Sequence, residues 1–162
     1  MNIMTRRSAI SFFAIYKVAL LTKTEIEDLL FSEYLNEESG EPILYKNIYD
    51  DDVQDFLIKL HIEVFFFGVS NEYLKYFLMK CLDCDFMILG EEPKLNKCPC
   101  CGYLTLPARG EYDVCPICLW EDDGRSEENI DSYSSVNHLS LKDYRLSKMP
   151  NLINSDIIYN KG

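Results

Sequence analysis

Two Cys-Pro-x-Cys tetrads, Cys98-Pro99-Cys100-Cys101 and Cys115-Pro116-Ile117-Cys118, lie with 13 residues between them and constrain this chain more than any other feature. Two residues between paired cysteines allow a tight turn to bring both sulfurs to one point. Two such pairs close four thiolates around a tetrahedral ion, each sulfur about 2.3 Å from it. Pro99 and Pro116 restrict φ at the first step of each turn, and Gly102 follows the first pair where a positive φ is wanted. The spacing therefore predicts Cys98, Cys101, Cys115 and Cys118 as ligands of one metal ion, with a short hairpin between the pairs turning at Gly110 behind Tyr103, Leu104 and Leu106.

Zinc and iron both accept four thiolates. The first tetrad, CPCCGY, also resembles one knuckle of the rubredoxins, which hold a single iron. The second departs from that pattern because Leu119 stands in place of the glycine. Zinc is the expected cofactor, with iron the alternative. A closed four-thiolate site leaves no position for substrate, so the ion's expected role is structural. The stretch has few apolar residues of its own, and metal binding would supply the folding energy that a small core lacks.

Three further cysteines are left. Cys100 is adjacent to Cys101 and its side chain diverges from it, so no shared ion is expected. Cys81 and Cys84 form a third Cys-x-x-Cys pair inside the apolar run YFLMKCLDCDFMIL, where small core residues on a helix end are expected rather than a second site. An odd number of cysteines, four of them assigned to metal, implies a reducing compartment rather than a disulfide framework.

The chain has 162 residues, 48% of them apolar, enough for one core with a small appended module. Its net charge is −11, against a non-specific nucleic-acid binder. Residues 25–55 hold eleven acids, among them Glu33, Glu37, Glu38, Asp50, Asp51 and Asp52, against Lys46 alone. A second block, Glu121, Asp122, Asp123, Glu127, Glu128 and Asp131, follows the cysteines. Acids favour solvated faces and helix N-termini, and blocks of them also steer a basic partner. The candidate partner surface comprises the six named residues of the first block, Trp120, and Glu121, Asp122 and Asp123 of the second. The simpler role for Trp120 is a lid over the sulfurs.

Arg6 and Arg7 before the apolar run Ala9–Leu21 imitate a signal peptide. Lys17 interrupts the run, no small-x-small site follows, and the run is short for a span of about 20 residues. A buried helix over residues 5–20 of a cytoplasmic protein is expected, with no membrane association. Thr22 and Glu25 match a capping box, with Leu21 and Ile26 as its staple, opening a second helix to about Asn36. Val53, Phe56, Leu57, Leu60, Val64 and Phe67 keep helical spacing behind Asp50–Asp52, and the second half of that helix is apolar all round, as in a core. Ser70 is placed to cap a fourth helix over 71–82. Ser140 and Asp143 are placed to open a final one to about Lys148. His61 reads as a hydrogen-bonded core histidine, and His138 as a loop residue rather than a ligand. The expected architecture is α+β, mainly α: a helical region of about four helices over residues 1–92, packed with a zinc-ribbon-like module over 93–162. No phosphate-binding glycine loop, nucleophile elbow or His-Glu-x-x-His occurs, so no catalytic residue is nominated and an enzyme is not expected.

CPCCGY, then Arg109-Gly110-Glu111-Tyr112-Asp113, CPIC-x-W-E-D-D-G and Asn137-His138 resemble the bacterial cysteine-rich CPCC proteins. The likeness is close through 98–124 and weaker through 137–144. Arg6–Ala9, the acidic second helix and Val69–Leu74 also resemble the N-terminal region of longer members. The resemblance implies a metal-binding domain without catalytic activity, the same four cysteines as ligands, and Trp120–Gly124 as motif positions. Members of this type are similar to small proteins encoded beside secreted toxins, which implies an immunity role. The leading expectation is an acidic interaction protein that neutralises a basic, nuclease-like toxin. The alternatives are a nucleic-acid- or transcription-associated zinc ribbon and a rubredoxin-like electron carrier. Residues 94–118 carry only Lys94, Lys97 and Arg109 against Glu111 and Asp113, which makes nucleic acid the weaker partner.

Overall fold

The structure is a computed structural model that describes residues 2–152 and 158–162. The fold is α+β and mainly helical. It comprises two compact units, one formed by Met1–Phe67 and Leu74–Gly90, the other by Gly68–Tyr73 and Glu91–Gly162. Residues 68–73, which the sequence assigns to the helical region 1–92, thus pack with the cysteine-bearing unit.

The first unit opens with a strand, β1 (Asn2–Thr5), which runs straight into α1 (Arg6–Ala19). Thr5 caps α1 by accepting from the Ser8 amide at 3.1 Å. Ala9, Ile10, Phe13, Ala14 and Val18 recur at helical spacing and are buried. The capping box forms as expected: Thr22 accepts from the Glu25 amide, the Glu25 carboxylate accepts from the Thr22 amide at 2.8 Å, and α2 (Lys23–Glu33) follows. Asp51 and Asp52 occupy the first turn of α3 (Asp51–Leu60), whose Val53, Leu57 and Leu60 are buried. Val18, Ile26, Leu30, Ile48, Val53 and Leu57 form one apolar cluster with Leu21 against it. Phe13 packs against Phe66 and Phe77, with ring centroids 4.5 and 4.6 Å apart.

Two expectations fail in this unit. The third helix is not regular to its end: residues His61–Phe65 form a π-helical turn closed by the Phe66 amide on the His61 carbonyl at 2.8 Å. The extra residue in that turn shifts the apolar periodicity, so Val64 is 49% exposed instead of facing the core. Cys81 and Cys84 are not the small core residues expected at the helix end either, although the helix itself spans the expected residues. α4 (Asn71–Leu82), capped by Ser70 accepting from the Tyr73 amide, ends before Asp83, whose φ of 52° turns the chain. Phe86–Leu89 then becomes strand β2, pairing in parallel with β1 in the register Asn2↔Phe86 to Thr5↔Leu89. Cys81 and Cys84 are both exposed. His61 is the expected core histidine: it is buried, its Nδ1–H donates to the Leu57 carbonyl at 2.7 Å, and its ring stands edge-on to Phe65.

In the second unit, β3 (Asn96–Lys97) pairs antiparallel with β4 (Leu104–Leu106). The hairpin expected to turn at Gly110 is therefore replaced by one that turns at the first cysteine tetrad. A second, shorter one closes around the second tetrad through the Val114↔Glu121 bridge. A 3₁₀ turn at Glu127–Asn129 leads to α5 (Leu141–Leu152), longer than expected and containing Pro150. Ser140 caps α5 by accepting from the Asp143 amide at 3.1 Å, while its hydroxyl donates to the Asp143 carboxylate. The tail returns beside β4: the Leu104 amide donates to Asn160 and the Gly162 amide to Gly102.

Candidate metal centre

Each cysteine tetrad folds into the same knuckle. In the first, the Cys98 amide donates to the Tyr103 carbonyl at 2.8 Å, and the Gly102 amide returns to the Cys98 carbonyl at 3.0 Å. In the second, the Cys115 amide donates to Trp120 and the Leu119 amide to Cys115, each at 2.9 Å. Closing such a loop needs a left-handed residue at its fifth position. Gly102 takes φ 82° there at no steric cost, and Leu119 takes φ 63° despite its Cβ. The second knuckle thus reproduces the first, and Leu119 does not distinguish zinc from iron.

The knuckles face each other and bring the Sγ atoms of Cys98, Cys101, Cys115 and Cys118 within 4.8 Å of one another. Cys98 and Cys118 stand 3.6 Å apart, Cys101 and Cys115 3.7 Å. These separations are too long for a disulfide and match the spacing of about 3.8 Å between ligands held 2.3 Å from a tetrahedral ion. All four side chains are buried. The Thr105 hydroxyl donates to Cys115 Sγ at 3.2 Å. Hydrogen bonds from Cys101 and the other thiols, with that of Thr105, hold the Cys115 thiol below its ordinary value. Cys118 is pushed up, first by Cys100 and then by the three partner thiols. Four sulfurs this close and this buried cannot all be thiolates without a cation among them. The donor set therefore fits a metal ion.

The surroundings hold the knuckles in place. Trp120 is 0% exposed and lies in one cluster with the cysteines, Leu106 and Leu141, its ring edge-on to Tyr144 at 5.0 Å. Its assignment to a partner surface is corrected, since nothing of the ring reaches the surface. Two consecutive residues of α5 reach back to the two knuckles. The Tyr144 hydroxyl donates to the Cys118 carbonyl at 3.1 Å, and Arg145 Nε to the Pro99 carbonyl at 3.0 Å. Burial pushes the Tyr144 phenol up to about 12, so it stays a donor at neutral pH. Cys100 is buried in the same cluster but stands outside the group of four.

The acids beside the second knuckle divide. Asp122 is fully buried, accepts Arg109 through both carboxylate oxygens at 2.7 and 3.3 Å, and takes the Gly110 amide at 2.8 Å. Gly110 needs its φ of 74° there, and a Cβ on it would meet Gly124 Cα at 3.4 Å. Asp123 pairs with Arg125 and accepts from the Ser134 hydroxyl at 2.6 Å. Both belong to the module's framework, which corrects their assignment to a partner surface: their charge is already neutralised inside the fold. Glu121 is half-buried, its backbone clamped by Asn137 from both sides at 2.9 and 2.8 Å. Glu33, Glu37, Glu38, Asp50, Asp51 and Asp52 are all exposed in the first unit. His138 is exposed and is not one of the clustered donors.

The sequence did not single out Thr105, Arg109, Tyr144 or Arg145 for the site. Arg109 stood within a quoted motif, but its partner lies 13 residues on. Tyr144 and Arg145 reach the knuckles only because α5 folds back over them. No helix among the described residues is long and apolar enough to cross a membrane. No curated protein and no solved structure matches the chain. Residues 96–147, which contain both knuckles, Trp120 and the two reaching residues of α5, match the family model of the Cysteine-rich CPCC proteins, and the four clustered cysteines, which could hold a metal ion, all lie within that match.

Proposed function

We propose that this chain is an acidic interaction protein, an immunity protein of a bacterial cytoplasm that binds and neutralises a basic, nuclease-like toxin, and that zinc is its resident metal in a structural role. The observation that carries the binding role is the division of the acids. Those of the second block nearest the metal centre are spent on Arg109 and Arg125, whereas Glu33, Glu37, Glu38 and Asp50–Asp52 stand exposed in a unit whose acids outnumber its bases. Exposed, uncompensated acids attract a cationic partner and repel phosphate backbones. The structural role is supported by closure: four buried sulfurs at tetrahedral spacing leave no open position for substrate, and zinc is the redox-inert ion that suits such a role.

Both halves are testable. Elemental analysis of the purified protein should give one zinc per chain and no colour. One iron per chain with visible absorbance would replace zinc and favour an electron carrier. The tagged protein, used to capture polypeptides from its own cell extract, should retain a basic polypeptide whose expression alone arrests growth and whose toxicity the protein relieves. Recovery of no basic polypeptide, or of one that remains toxic beside the protein, would overturn the immunity reading.

A further inference from the structure

The segment after α2 forms an ordered hairpin. Leu35 bridges Pro42, the Asn36 amide donates to the Glu41 carbonyl at 2.8 Å, and the Ile43 amide to the Tyr34 carbonyl at 2.8 Å. Asn36 Oδ1 accepts from the Glu38 and Ser39 amides, which fixes the tip. Between this hairpin and the outer side of α3 with its π-helical turn lies a groove of about 560 Å³. That volume falls within the range of roughly 300–1,000 Å³ usual for ligand clefts. Tyr34, Ile43, Phe56 and Val64 supply apolar walls, with Tyr34 and Phe56 in ring contact at 4.7 Å. Glu37, Glu38 and Glu63 also line it, against Lys59 alone. Beside it on the same hairpin, Leu44 is 96% exposed. A water-facing apolar surface with a polar rim of net negative charge is the character of a protein-binding site.

We propose that this groove receives an extended segment of a basic protein partner in which arginine or lysine alternates with apolar residues. The apolar side chains cover Tyr34 and Phe56, and the cations meet Glu37, Glu38 and Glu63. The fit is one of charge and chemistry together: an acidic or neutral segment would strip water from three carboxylates without replacing it. An aromatic wall also receives a guanidinium face-on. The groove deepens the reading of the chain as a binder of a basic polypeptide and rests on it for the partner's identity.

The test uses the full, metal-loaded chain, labelled with nitrogen-15 and titrated with the peptide Ac-Leu-Arg-Leu-Arg-NH2. Saturable amide shifts are expected at residues 34–38, 43 and 56–64. The peptides Ac-Leu-Gln-Leu-Gln-NH2 and Ac-Ser-Arg-Ser-Arg-NH2 should each bind at least fivefold more weakly, as should the variant Glu37→Gln/Glu38→Gln/Glu63→Gln towards the first peptide. Asp55→Asn, outside the groove, should bind as the parent does. No saturable shift, or shifts no larger in the groove than at residues 50–55, would overturn the assignment. So would a dimer in sedimentation that the triple variant dissolves, since a second copy would then be the occupant. A basic polypeptide captured equally by parent and triple variant overturns the groove and leaves the immunity reading standing. Peptide binding in the groove with no basic polypeptide captured from the cell supports the groove and removes that reading.

Discussion

Leu119 holds a φ of 63° with its side chain 60% exposed, at the position where the first knuckle has Gly102. A left-handed residue with a Cβ costs about 1–2 kcal/mol, and glycine returns about 0.5–1 kcal/mol of that as extra entropy of the unfolded chain. Leu119→Gly should therefore stabilise the metal-loaded module by about 0.5–1 kcal/mol, read as a thermal midpoint raised by a few degrees. A lowered midpoint would mean that the leucine side chain makes contacts worth more than its strain. The same local reasoning explains what was legible at this scale. Cys98, Cys101, Cys115 and Cys118 could be assigned from spacing because a knuckle is closed by hydrogen bonds within six residues. Asp122 and Asp123 could not be separated from Glu121, because what distinguishes them is Arg109 and Arg125 and the burial that comes with those pairs.

At the scale of elements, the helices with local start signals were readable and those features set by distant partners were not. The Thr22–Glu25 box and the Ser70 and Ser140 caps each lie within four residues of sequence. Strand β2 was hidden because a four-residue apolar run carries no period, and its partner β1 lies more than 80 positions away. The π-helical turn was hidden because its one extra residue is visible only in the backbone. That turn carries a pH response. Burial lowers the His61 imidazole below its ordinary value of 6.5, so protons bind the unfolded chain more readily than the folded one. His61's contribution to stability is whole above pH 6.5 and is lost as pH falls below that towards the depressed value. Denaturant midpoints of the helical unit should decline between pH 7 and 5, and His61→Phe, which keeps the ring contacts, should flatten that decline. In the other unit, Leu141 and Tyr144 of α5 share one buried cluster with Trp120 and the cysteines, and Trp120 is the only tryptophan of the chain. Chelation should red-shift its fluorescence while most of the helical circular dichroism from α1 to α4 persists. Equal loss of both signals would show that the helices need the metal as much as the knuckles do.

At the scale of the whole molecule, a net charge of −11 acts before any contact forms. It raises the rate at which a cationic partner arrives and is screened over about 10 Å at 0.1 M salt. Association with a captured basic polypeptide should slow at least tenfold between 50 and 500 mM salt, with dissociation changing less, as stopped-flow mixing would record. Salt-independent association would point to recognition by apolar contact alone. The path of the chain has a separate consequence. The unit that carries the four cysteines includes residues 68–73 as well as 91–162, joined through the Ser70 amide on the Ile158 carbonyl at 2.9 Å and the Asn71 amide on Glu92 at 2.6 Å. The family match begins only at residue 96. A segment cut to the matched residues alone would carry both knuckles, Trp120 and the reach of α5, yet leave behind the Ser70 and Asn71 amides that bond to Ile158 and Glu92. In this protein the stretch that matches the family and the stretches that complete its packing are different parts of the sequence, so a truncation at residue 96 removes contacts that the match does not show.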